Sequence, residues 1–188
     1  MTDLDKFDIS NQVHIDLETL DTTHTAKVLS IGAACGDETF YCEVDQALYP
    51  QDCGFSASES TIDWWEKQGG FKKTCEPVSP ALAMSSFASW WERVTSVHQD
   101  YEVWANSPSF DCKIITYHFE QFAYSLPWKY YMERDVRTVK ALAKAMKLPI
   151  RTFKNPHNAL QDALNQQAYV DSVFSTLANQ LHETRPMK

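Results

Sequence analysis

Val13, Ile15 and Leu17 alternate with His14, Asp16 and Glu18 in the run Val13–Thr19, which is the period of a strand with one face turned to a core. Lys27–Cys35 is β-rich. Gly36-Asp37-Glu38 then offers a tight turn into Thr39–Val44, so three adjacent antiparallel strands are expected. The period changes after Ser56. Thr61–Gln68 reads as a short helix with Ser60 as N-cap and Asp63 in its first turn, ended by Gly69-Gly70. Ser79-Pro80 opens a longer helix whose Leu82, Phe87, Trp90, Trp91 and Val94 recur at roughly helical spacing, a core stripe by default. A fourth strand, Glu102–Asn106, meets the turn Ser107-Pro108-Ser109, and Phe110-Asp111 starts a helix through Ile114, Ile115, His118 and Phe119. Beyond Pro127-Trp128 come a short strand and a helix from Val136 to Lys147, closed by Leu148-Pro149. The last helix spans about 158–182, behind Pro156 and His157. Its buried side is Leu160, Ala163, Leu164, Gln167, Tyr169, Val170, Val173, Phe174 and Leu177. No repeat, low-complexity stretch or long linker interrupts this order. It predicts a single α/β domain over 1–188, core about 12–182, built on a mixed five-stranded sheet flanked by helices.

Composition adds limits. A chain of 188 residues with 44% hydrophobic and 13% aromatic content can bury one substantial core. Cys35, Cys42, Cys53, Cys75 and Cys112 are odd in number and contain no C-x-x-C pair, which suits a reducing compartment and suggests neither a disulfide framework nor a zinc ribbon. Met1-Thr2-Asp3-Leu4-Asp5-Lys6 lacks the basic start of a signal peptide, and no stretch approaches the ~20 apolar residues of a membrane span. A soluble, cytoplasmic protein without a membrane partner is expected. The net charge of −8 argues against coating of long duplexes, which depends on Lys and Arg neutralising phosphates. Two divalent cations bound by acids would halve that deficit and put positive charge where a phosphate would sit.

Candidate chemistry begins on the first strand. Asp16 and Glu18 lie on one face, roughly 6.6 Å apart along it, so both carboxylates can converge on a divalent cation. A half-solvated edge strand would show the same alternation. Asp111 falls in a helix's first turn, where the macrodipole favours its ionised form, although an ordinary helix-start aspartate reads the same way. Asp162 stands near the start of the last helix, five residues after His157. A lone histidine there is commonly a cap or surface residue; beside the acids it gains a role.

Asp16-Leu17-Glu18, Phe110-Asp111 and His157-Asn158-Ala159-Leu160-Gln161-Asp162 together resemble the motifs of the DEDDh 3′ to 5′ exonucleases, the superfamily of RNase T and the polymerase proofreading subunits. In that family Asp-x-Glu lies on the first strand, an aspartate opens the helix after the fourth strand, and His-x-x-x-x-Asp starts the last helix. The resemblance covers about residues 12–175. Ile62-Asp63-Trp64-Trp65, Val103-Trp104-Ala105-Asn106, Pro127-Trp128 and Arg134-Asp135-Val136-Arg137-Thr138 are similar to the phage exonuclease A type and its bacterial exoribonuclease relatives. Asn106-Ser107-Pro108-Ser109 departs from that pattern where glycine is often expected.

The resemblance implies an RNase H-like fold and stepwise hydrolysis from 3′ ends of single-stranded DNA or RNA. It implies two Mg2+ or Mn2+ ions: Asp16, Glu18 and Asp162 at one, Asp16 and Asp111 at the other, with His157 as general base. Hydrolysis of a phosphodiester at neutral pH needs a hydroxide, charge stabilisation and help for the departing oxygen, and two cations roughly 3.5 to 4 Å apart supply all three. Hard oxygen donors suit magnesium or manganese, and the absence of clustered Cys and His argues against zinc. By analogy Thr19, Leu20 and Asn106 would meet the terminal nucleotide. Trp65 and Trp128 could stack on unpaired bases or pack in the core, and Lys129, Arg134 and Arg137 could reach phosphate or form a solvated face. Exposed tryptophans would allow a homodimer. Two rivals stay open: a catalytically silent nucleic-acid-binding domain on this fold, and a two-metal endonuclease of RNase H or resolvase type.

Overall fold

The computed structural model describes residues 11–96, 101–149 and 157–183, with side chains through 180. Pro156 and residues 1–10 lie outside the described residues. The alternating run forms β1 (Gln12–Thr19), followed by β2 (Val28–Cys35) and β3 (Glu38–Glu43). Two strands complete the sheet, β4 (Glu102–Ala105) and β5 (Glu133–Asp135), in the order β3-β2-β1-β4-β5. The hairpin side is antiparallel, as the short turns require, whereas β1–β4 and β4–β5 are parallel pairs reached by crossovers. β1 is therefore central, and the register slips between Glu18 and Thr19, at the end that carries the acids.

Among the described residues five α-helices accompany the sheet. α1 (Glu59–Lys67) begins two residues earlier than the sequence suggests, because the Ser58 side chain, not that of Ser60, accepts the Thr61 N–H. Gly69 and Gly70, both at positive φ, end it as expected. α2 (Pro80–Thr95) is capped by Ser79 and carries proline in its first turn. Leu82 departs from the expected stripe: it is 50% exposed. The buried face runs through Ala83, Met84, Phe87, Trp90 and Trp91, and Leu82, five residues before Phe87, points well off that line.

α3 (Asp111–Gln121) and α4 (Val136–Ala145, capped by Asp135) follow β4 and β5. α5 (Ala159–Glu183) crosses β1 and β2. A Cβ built on Gly32 would lie 2.1 Å from the Ala159 carbonyl carbon, so only glycine lets the start of α5 settle on β2. That close approach also sets α5's own buried side. Ala159, Ala163, Val170 and Val173 are fully buried, while the bulkier Leu160, Leu164 and Tyr169 are half-buried at its margins. The main core lies between the sheet, α2 and α3; a smaller one joins Trp104 to Val136, Val139, Ala143, Val170 and Val173.

Candidate active site

Asp16 and Glu18 share a face of β1 opposite Gly32 and Ser30 of β2, so the glycine that admits α5 stands beside Asp16. Seating α5 there delivers Asp162. Its N–H donates to the Asn158 carbonyl at 2.8 Å, and its Oδ2 accepts the Asn158 N–H at 3.2 Å, so the first turn fixes its carboxylate. Single carboxylate oxygens of Asp16, Glu18 and Asp162 all lie within 4.8 Å of one another. Asp111, the first residue of α3, joins from the other side: its Oδ1 accepts the Leu17 N–H at 3.2 Å, between the two β1 acids. Gln166, one turn beyond Asp162, donates through Nε2 to Asp16 Oδ1 at 2.8 Å. The structure thus brings the four acids to one place, with Asp111 beside the tight group of three.

Electrostatics follow from this crowding. Burial, then the charges of Asp111, Glu18 and Asp162, hold the Asp16 carboxyl well above the ordinary carboxylate range. Burial and the charges of Asp162 and Asp111 push Glu18 up to about 8. Burial likewise raises Asp162. Burial pushes Asp111 up to about 7, although backbone N–H groups of Leu17, Asp111 and Asn106 and the charge of Arg137 favour ionisation. Enclosure outweighs the helix N-terminus there. An all-oxygen acidic donor set without a histidine or cysteine among the converging atoms fits a hard divalent cation, which would relieve the repulsion that raises these groups.

His157 precedes α5 at φ +52, in the left-handed region. Its imidazole meets Trp64 at 4.8 Å and Trp65 at 6.4 Å between ring centroids, both nearly perpendicular. It lines a cavity of about 270 Å³ with Trp65, Phe71, Lys72 and Asn158. Beside Glu18, a second cleft of about 420 Å³ is walled by Leu17, Thr19, Thr61, Trp64, Trp65 and Phe110.

The remaining expected residues divide. Thr19 lines that cleft, and its carbonyl accepts the Trp65 Nε1–H at 2.9 Å. Leu20, half-buried, follows Thr19, and its backbone bonds with Lys27 and Ser58 tie β1 to its neighbours. Trp65 is only 7% exposed and forms a wall rather than a free platform. Trp128 must be reassigned from base stacking to the core: it is 4% exposed, with its ring centroid 5.1 Å from that of Trp91. Arg134 pairs with Glu102 at 2.8 Å, whereas Lys129 is exposed, with its ammonium 5.9 Å from the Tyr131 ring centroid. Arg137, in the first turn of α4, acts on Asp111. Asn106 accepts a bond from Lys140 Nζ at 3.2 Å, and the Lys140 charge faces Asp16 and Asp162. Lys140, Gln166, Trp64 and Phe110 were not singled out for the site from the sequence. Gln166 carries a local signal, four residues after Asp162 on the same helix face, and Trp64 and Phe110 lie within the segments of likeness quoted above; Lys140 carries none.

Comparison with known proteins agrees with this geometry. A family model described as "3'-5' exoribonuclease Rv2179c-like domain" matches residues 11–174. Among solved structures, the nuclease domain of 3'hExo, a DEDDh family member bound to rAMP, is similar over 97% of this chain and 96% of its own, with a TM-score of 0.54 and 9% identity. Cell-death related nuclease 4 (CRN-4) is similar over 94% of this chain and 65% of its own, with a TM-score of 0.52 and 13% identity. At such identities the structures establish the shared RNase H-like fold and nothing finer. No individual curated protein matches the chain.

Proposed function

The chain belongs to the family of 3'-5' exoribonuclease Rv2179c-like domains, a nuclease family, and from that membership we propose that it removes nucleotides one at a time from single-stranded 3′ ends, RNA before DNA. The observation that carries the reading is the convergence of Asp16, Glu18 and Asp162 within 4.8 Å, with buried Asp111 alongside. Asp16, Glu18 and Asp162 would hold one Mg2+ or Mn2+, and Asp16 with Asp111 a second. Such a pair supplies an acidified water and charge stabilisation on the phosphate. The chain does the rest. Gln166 fixes the Asp16 carboxylate through its 2.8 Å bond. His157 takes the proton from the attacking water. The cleft beside Glu18 is large enough for one nucleoside, which Trp64 and Phe110 would flank. Arg137 and Lys140 would meet the phosphates of the incoming strand.

None of the five cysteines forms a disulfide, which supports a reducing, cytoplasmic setting. Among the described residues no helix is long and apolar enough to cross a membrane. A homodimer would need a face other than tryptophan, since Trp64 alone of the six is exposed; Tyr130 and Tyr131 offer one.

The test is digestion of matched RNA and DNA oligomers with single-stranded or recessed 3′ ends. Stepwise release of nucleoside 5′-monophosphates, dependent on Mg2+ and fastest on single-stranded RNA, is expected. Tight binding without turnover would favour a silent binding domain, and cleavage of a circular single strand would favour an endonuclease.

A further inference from the structure

Trp64 belongs to two places at once. It lines the cleft beside Glu18, and its ring lies 4.8 Å from that of His157 at 86°, an edge-to-face contact. It is also the one tryptophan that is exposed, at 37%, so part of its ring faces solvent where a ligand would enter. The other side is braced. Trp65 stacks perpendicular to Trp64 at 5.0 Å, packs on Phe71 at 5.6 Å, and anchors its indole N–H to the Thr19 carbonyl. A line of contacts therefore runs from the β1 backbone at Thr19 through Trp65 and Trp64 to the imidazole.

His157 needs such a hold. As a non-glycine residue at φ +52 it occupies a sparsely populated conformation, which persists where neighbours determine it. Its placement must also be accurate, because proton transfer requires hydrogen-bond reach to the water. Resting on the exonuclease reading above, we propose that Trp64 is a positioning residue that couples occupancy of the terminal-nucleoside cleft to the placement of His157. A base seated in the cleft presses on one part of the indole while the imidazole rests on another. A substrate without that base leaves the indole unbraced and the imidazole less well aimed.

The test is single-turnover hydrolysis, with Mg2+ saturating, of RNA ending in an ordinary nucleotide and of RNA ending in a 3′ abasic nucleotide. It uses the unaltered chain, Trp64→Leu, Trp64→Phe, His157→Ala and the double variant Trp64→Leu/His157→Ala. On the ordinary oligomer, Trp64→Leu is expected to lower the limiting rate by about three- to tenfold, beyond any weakening of half-saturation from the lost cleft wall and with melting temperature nearly unchanged, and Trp64→Phe to recover most of the loss. In the His157→Ala background Trp64→Leu should cost nothing further. The abasic end should slow the unaltered chain but not Trp64→Leu. In the metal-free protein, Trp64→Leu should shift the His157 imidazole resonance by removing the indole ring current. Independent losses from the two substitutions, a loss confined to half-saturation, or an unmoved resonance would overturn the inference. Full activity in Asp16→Asn, or none in the unaltered chain, would contradict the exonuclease reading and take this inference with it.

Discussion

Asp16 is the residue on which the site turns: it feels the charge of all three other acids, and Gln166 fixes one of its oxygens. Replacing it with asparagine keeps an acceptor for Gln166 while removing one crowded charge. Asp16→Asn should lower hydrolysis by at least about a hundredfold, a typical order for losing a preorganised electrostatic group, yet raise the melting temperature of the metal-free chain at pH 8. Paired activity and thermal melts check both signs. The stabilisation has a pH direction. Glu18 and Asp111 titrate near 8 and 7 in the fold, above their unfolded values near 4, so the acids favour the fold most below pH 4 and their contribution is lost as pH rises through 7 and 8. The gain from Asp16→Asn should therefore shrink at pH 5. His118 runs the other way. It is wholly buried, its Nδ1 lies 2.9 Å from the Ile114 carbonyl and its Nε2 3.0 Å from the Tyr49 hydroxyl, and burial lowers it to about 4. Its depressed folded value means that stability is lost as pH falls from 6.5 to 4, up to about 3 kcal/mol. His118→Gln should flatten the acid limb of a denaturation profile over that range; an unchanged limb would show that the fold pays no such penalty.

The elements that carry the acids owe their positions to small residues. Gly32→Ala would drive a methyl into the Ala159 backbone and lift the start of α5, and with it Asp162, from the sheet. A loss of about 2 kcal/mol or more in urea unfolding is expected, with weaker Mn2+ binding than any exposed alanine substitution on α5 causes. Equal stability would show that α5 is not held by this contact. The order of elements was legible from the sequence because β1, α2 and α5 have strong periods and α2 and α4 have serine or aspartate caps. Ser58 was missed in favour of Ser60 because both are serines with acceptable spacing, and only backbone geometry separates them. That Asp16, Glu18, Asp111 and Asp162 come together was legible through their spacing, their place at element ends and the motifs they resemble. Trp64 beside His157, Lys140 facing the acids, and Trp128 in the core were not, since each depends on how distant elements dock.

Across the whole molecule, a net charge of −8 makes long-range attraction for nucleic acid weak, so grip must come from local cations. Arg137 and Lys140 project from α4 toward the acids. Replacing both with glutamine should raise KM with little change in kcat, and make the plot of log KM against log salt shallower by about 1.4, two single-strand contacts at about 0.7 each. An unchanged slope would place the strand elsewhere. Everything at this scale depends on the folded acids forming a divalent-cation centre. Calorimetric titration of the metal-free chain with Mn2+ tests that directly: saturable binding of two ions with proton release at pH 7, abolished or reduced to weak binding in Asp16→Asn, is the expected result. Identical isotherms for the two proteins would contradict it.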